Sequence, residues 1–179
     1  MRTWLRIMTL ALVACSSSNN SPGTVSGTIK NTTFVVHDAL TLAGSQRVEI
    51  VLSSVANECV PPAQQVQHPG ETALLILLSD YDAASGKSTA PTTAGTYTIA
   101  STMMAHNATV EANILDSMCL NNADNGAVAG SGTVDLTSLD GGAFSGTFDV
   151  QLDSGDHVTG SFDAPTCTEM RNSQPTCTP

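Results

Sequence analysis

From Thr24 onward, apolar and polar residues alternate in short runs between turn-forming residues. Period-2 alternation bounded by Gly, Asp, Asn and Ser is the pattern of half-buried strands. It is clearest over Ser131–Ala164. There Phe144, Phe148, Val150, Leu152, Val158 and Phe162 occupy even positions. Thr147, Asp149, Gln151, His157, Thr159, Ser161 and Asp163 occupy odd ones. Asp140-Gly141-Gly142 and Ser154-Gly155-Asp156 supply the turns, since glycine tolerates positive φ. For the apolar faces to meet, the loops should set Leu152 opposite Val158 and Ser138 opposite Phe144. A Gly-Thr/Ser-Val/Phe-Asp motif starts at Gly132, Gly146 and Gly160, a spacing of 14 residues. Glycines on an apolar face predict bends or close backbone approach in a curling sheet.

Further strands are predicted upstream at Val25–Ile29, Thr33–His37, Arg47–Ser53, Thr96–Ala100 and Thr109–Leu115. Ala39–Ala43 reads as a short strand or a turn of helix. Ala73–Leu78 is a continuous apolar run, as in a central strand buried on both faces. Together these give an all-β domain of about eight to ten strands, an antiparallel β-sandwich or a partly closed meander barrel.

The N-terminus departs from this pattern. Arg2 and Arg6 precede a short apolar stretch, Ile7–Val13, too short to span a bilayer. Leu12-Val13-Ala14-Cys15 then resembles the lipobox of bacterial lipoproteins. The resemblance implies cleavage after Ala14, diacylglyceryl transfer to the Cys15 sulfur and acylation of the new amino terminus. Residues 16–23, SSSNNSPG, form a polar tether. The chain therefore divides into a signal peptide (1–14), lipidated Cys15 and tether (15–23), a β domain (24–166) and a C-terminal tail held by a disulfide (167–179). Ser16 stands where an aspartate would resemble an inner-membrane retention signal, which points to the outer membrane or cell surface.

Several segments, Val25–Ile29, Phe34 with Asp38-Ala39, Glu49–Leu52 before Cys59, Ala94–Ile99, Ser131–Leu136, Ser145–Val150 and Val158–Cys167, together resemble the β-rich cell-envelope lipoproteins of myxobacteria and related bacteria. That likeness spans nearly all of the mature chain. It implies a location and a fold, and brings no catalytic residue.

Charge and cysteines refine the picture. Six Lys+Arg against 16 Asp+Glu give a net charge of −10, and loss of Arg2 and Arg6 with the signal takes it to −12. Such a chain cannot replace the counterions of nucleic acid, so the membrane contact expected is the lipid on Cys15. The one Trp leaves with the signal, which weakens an aromatic carbohydrate platform; Tyr81 is the one obvious exposed candidate. With Cys15 lipidated, Cys59, Cys119, Cys167 and Cys177 remain, an even set that in an exported protein implies two disulfides. If Arg47–Ser53 runs up and later strands alternate, Cys59 and Cys167 lie at the top and Cys119 at the bottom. This favours Cys59–Cys167, with Cys119–Cys177 formed by residues 168–176 folding back along the wall. Cys59–Cys119 with Cys167–Cys177 is the alternative. No C-x₂-C spacing supports zinc.

Other motifs carry little chemistry. Gly86-Lys87-Ser88 lacks the earlier glycine of a phosphate loop, position 81 being Tyr. No G-x-S-x-G elbow is present, and His37, His68, His106 and His157 lie in separate segments. Asp80 and Asp82, Asp124-Asn125-Gly126, and Asp153 and Asp156 could bind calcium weakly, but none matches an EF-hand, and surface solvation is the simpler reading. No catalytic residue, metal ligand or cofactor is assigned. The expectation is a lipid-anchored structural or binding module. A calycin-like carrier of a small apolar ligand and a hydrolase are the alternatives.

Overall fold

A computed structural model of the protein describes residues 21–121, 124–140, 142–169 and 176–178. Residues 1–20, with the expected signal peptide, Cys15 and most of the expected tether, lie outside the described residues, as do residues 170–175 of the expected tail. The strands are β1 Gly23–Ser26, β2 Thr28–Ile29, β3 Thr32–Thr33, β4 Asp38–Ala43, β5 Val48–Ser53, β6 Val66–Gln67 and β7 Thr72–Asp82. They continue as β8 Lys87–Thr89, β9 Gly95–Ile99, β10 His106–Ile114, β11 Gly126–Ser138, β12 Ala143–Leu152, β13 His157–Pro165 and β14 Thr176–Cys177. Among the described residues there is no α-helix, only a 3-10 turn at Pro62–Gln64.

Ten strands form one sheet in the order β1-β13-β12-β11-β9-β10-β7-β5-β4, with β8 pairing β7. The sheet curls until its far ends meet, making a nearly closed barrel. The seam lies between β4 and the end of β13. There the Thr41 hydroxyl donates to the Ala164 carbonyl at 2.9 Å and the Cys167 amide donates to the Thr41 carbonyl at 2.8 Å. Thr41 is fully buried, so these bonds satisfy polar groups that burial would otherwise penalise.

Inward positions follow the alternation. Leu74, Ile76 and Leu78 of β7 are completely buried, facing Leu52, Ile50 and Val48 of β5 on one side and Ala112, Val110 and Ala108 of β10 on the other. Large residues opposite small ones let the layers interdigitate at native density. The apolar run at 73–78 thus has one face in the core, and its other face is half-buried on the outside of the barrel.

The 14-residue repeat acquires a mechanism from the register. Gly146 of β12 lies opposite Phe162 of β13, and Phe148 lies opposite Gly160. Each ring covers the glycine beside it: a Cβ at Gly146 would stand 2.6 Å from Phe162 Cζ, and one at Gly160 2.5 Å from Phe148 Cζ. Phe162 also faces Gly23 of β1, so a glycine flanks it on both sides. The repeat period and the turn length together set glycine against phenylalanine across the β12–β13 hairpin, whereas across β11–β12 Gly132 faces Val150 and Gly146 faces Leu136.

Several expectations need correction. Val150, not Leu152, faces Val158, because the loop reverses at Asp153–Gly155. Parity survives, so the apolar faces still meet. The pair Ser138–Phe144 continues the register of Leu136–Gly146, but a bulge at Thr137 moves Ser138 opposite Ser145. A second bulge at Gly130 flips parity, so Ala127 and Ala129 point inward and Val128 stands 44% exposed. Val25–Ile29 breaks at Gly27, whose φ is +110°. Thr33–His37 is not a strand beyond Thr33. Instead, Thr28–Thr33 forms a tight hairpin with positive φ at Lys30 and Asn31, the two-residue type that matches strand twist. Ile29 and Phe34 then enter the core cluster beside Val158 and Leu152.

Strand direction also differs. β9 and β10 run parallel, with Asn107 against Thr98, because residues 100–105 leave the wall and re-enter it without reversing. The up-down alternation used to place the cysteines therefore fails after β9. The pairing is nevertheless Cys59–Cys167 and Cys119–Cys177. Its physical basis is that Cys167 follows the seam onto the outer face of β4 and β5, where Leu40 and Val51 surround it.

Candidate functional site

The outward face of β4, β5 and β7 is unusually apolar. Leu40, Val51 and Cys167 are buried there, with Leu42 and Leu75 packed against them. It is covered by residues 54–71, which reach across the wall and are held at both ends of their span. Cys59 bonds Cys167, and β6 pairs in parallel with β14, whose Cys177 bonds Cys119. Asp38 accepts the Glu58 amide at 2.7 Å, and the Ser54 hydroxyl accepts the Thr72 amide at 2.9 Å. His68 Nδ1 lies 3.1 Å from the Thr178 carbonyl.

Between this flap and the barrel wall is a cleft of about 180 Å³. Its floor is Val51, Ala73 and Leu75, and its rim includes Glu58, Gln65, Glu71 and Asn113. A second cleft of about 310 Å³ shares Asn113 and Asn121 and is lined also by Val128, Glu111 and Asp153. Val66 in the first cleft and Val128 in the second are exposed apolar side chains. An apolar floor with amide and carboxylate groups at the rim is the composition of a binding surface.

The histidines are dispersed. His106 Nδ1 lies 2.8 Å from Asp80 Oδ1 where β10 and β7 pair directly, and Tyr97 donates its hydroxyl to the same oxygen at 3.0 Å. The Tyr97 and His106 rings meet edge to face at 5.1 Å. Burial, together with the hydrogen bond to Asp80 and its negative charge, pushes the Tyr97 phenol well above its usual range. His157 pairs with Asp149 at 2.7 Å on the open outer face of β12 and β13. Sequence reasoning missed the Tyr97–Asp80–His106 group. Its signal was present: Asp80 ends the inward series Leu74, Ile76, Leu78, and His106 opens the series Ala108, Val110, Ala112. Which polar ends would meet depended on strand order.

The acidic loops organise turns. Asp82 accepts the Ser85 hydroxyl and the Ala84 amide, and the Ser85 bond chiefly holds its carboxyl below the usual range. Asp156 accepts the Ser154 hydroxyl, the Lys30 amide and the Thr28 hydroxyl, in that order of effect on its lowered pKa. Asp153 bonds the Val128 amide. Gly86-Lys87-Ser88 closes the β7–β8 hairpin. Among the described residues no group of three or more His, Cys, Asp or Glu is placed to hold a metal ion. Comparison with protein-family models, curated proteins and solved structures finds no match for this chain.

Proposed function

We propose that the protein is an exported, lipid-anchored module of the cell envelope that binds a partner through the disulfide-held flap on its outer wall. The observation that carries this reading is the pair of disulfides that holds residues 54–71, with β14 paired to β6, over an apolar wall while leaving a cleft open between flap and wall. Disulfides persist in oxidising compartments, in keeping with export. The lipobox-like Leu12–Cys15 supports attachment through Cys15, and Ser16 supports the outer membrane or cell surface. The likeness to β-rich myxobacterial lipoproteins supports the same location. An interaction module is favoured over a calycin-like carrier. A carrier holds its ligand among inward side chains, and here those side chains pack on one another while both clefts lie outside the wall.

Palmitate labelling tests the anchor: the wild type should label and Cys15→Ala should not. Crosslinking of envelope extracts to the intact protein tests the surface. Asn113→Arg with Asn121→Arg should abolish the crosslinked species, whereas Thr147→Arg on the opposite polar wall should not. Equal labelling of Cys15→Ala, or crosslinking indifferent to the cleft, overturns the respective half of the proposal.

A further inference from the structure

The excursion at residues 100–105 is not needed to turn the chain, since β9 and β10 run the same way along the wall. It carries Met103 and Met104, which are 61% and 47% exposed. Exposed methionines on a pinned loop call for an explanation beyond packing. The pinning is specific. Asn107 accepts the Met104 amide at 2.7 Å and returns a hydrogen bond to the Met104 carbonyl, while the Ala105 carbonyl accepts the Tyr81 amide at 2.8 Å. The next residue, His106, stands 45% exposed with Nδ1 on Asp80. A carboxylate oxygen can only accept, so Nδ1 carries the proton and the lone pair of the neutral ring is on Nε2. A carboxylate orienting an imidazole in this way is the arrangement found behind metal-ligating histidines. Tyr97 supports it from within, donating to the same Asp80 oxygen and packing against the ring.

We propose that Met103, Met104 and His106 Nε2 form a site for a soft monovalent metal ion, Cu(I). Two thioethers and one imidazole suit Cu(I); zinc would need thiolate, carboxylate or further imidazole ligands in place of the thioethers, and calcium and magnesium call for oxygen ligands that this loop does not gather. Met103 and Met104 in the loop and His106 at the start of β10 fall within four positions, and all three side chains are exposed to solvent. The site is distinct from the flap clefts, neither of which any of its residues lines.

The test is anaerobic titration of the full chain carrying Cys15→Ser, which removes a thiol that would itself take Cu(I), in competition with a bicinchoninate chelator. The chain should withdraw one equivalent of Cu(I). Met103→Leu with Met104→Leu, which keeps size and apolarity, should lose that equivalent while its melting curve is unchanged. Asp80→Asn, a positioning change, should keep the stoichiometry with affinity about 10-fold weaker. Ag(I) added to protein labelled at the methionine methyls should move Met103 and Met104 and leave Met118 in place. Failure to withdraw Cu(I), retention of it by the double leucine variant, or Ag(I) shifts centred on Met118 overturns the proposal.

Discussion

The barrel is built from two unlike walls. In one, β1, β13, β12 and β11, the inner face sets aromatic rings over glycines, and the outer face is open and polar. Thr96 bonds Asp135, Ser145 bonds Asp163, Thr24 bonds Ser161 and His157 bonds Asp149 across that outer face. In the other wall, β4, β5, β7 and β10, the inner face is branched aliphatic against alanine. The outer face of β4, β5 and β7 continues apolar with Leu40, Leu42, Val51 and Leu75 and is roofed by the flap. Both walls fill the same core to the same end. They differ in what a mutation would do: the glycine wall has no room to gain a methyl, and the aliphatic wall cannot lose one without a cavity. They also differ in need for cover. A polar outer face hydrates itself, whereas an apolar one requires a roof, and this roof is secured covalently.

The largest effect should follow loss of the roof's fastening. On the chain-entropy model, closing separations of 108 and 58 residues contributes roughly 5 and 4 kcal/mol. Denaturant unfolding of Cys59→Ala with Cys167→Ala should show the greater loss. A loss confined to the flap, with no change in global stability, would mean the second wall does not depend on its cover. Next, Leu74→Ala in the aliphatic wall should cost about 4 kcal/mol by transfer and cavity terms together. Gly160→Ala in the glycine wall should cost about 3 kcal/mol by overpacking against Phe148 and the Thr24 carbonyl. Its control is Gly130→Ala, whose Cβ meets nothing within 4 Å and should change stability by less than about 0.5 kcal/mol. Equal effects at the two glycines would refute ring-over-glycine packing. Tyr97→Phe, where the walls adjoin, should cost about 1 kcal/mol, the net worth of one hydrogen bond.

The smallest effect should be in acid. Asp156 ties the Thr28–Thr33 hairpin to the β12–β13 turn, and its folded pKa lies below the unfolded value. Its contribution is therefore complete above the unfolded pKa, about 4, and is lost as pH falls through the lower folded value. Melting temperatures of the wild type and Asp156→Asn should differ near neutrality and converge in strong acid. A difference that persists there would place the clamp's effect elsewhere.

Much of the fold was legible because its signals are local. Alternation marked β5, β9, β12 and β13, a continuous apolar run marked β7, and Gly155 and Gly142 marked turns. The Gly-x-Phe-Asp repeat identified the glycine wall before any register was known. The candidate clefts were not legible. Residues 54–71 carry no periodicity, and their position depends on Cys59 and on β14 reaching β6. Val128 stands outward only because the bulge at Gly130 shifts the register of β11, and a bulge of this kind carries no local signature.

The sequence alone determined the all-β class, the longer strands, the pairing parity of β12 with β13 and the presence of four cysteines for two bridges, because side-chain period and turn chemistry act over a few residues. The tertiary structure alone decided that β10 re-enters parallel to β9, that Thr41 closes the seam on Ala164, and that Asp80, Tyr97 and His106 meet. Strand neighbours far apart in the chain are selected by how the whole set of inward faces fills one core. No single segment carries that information.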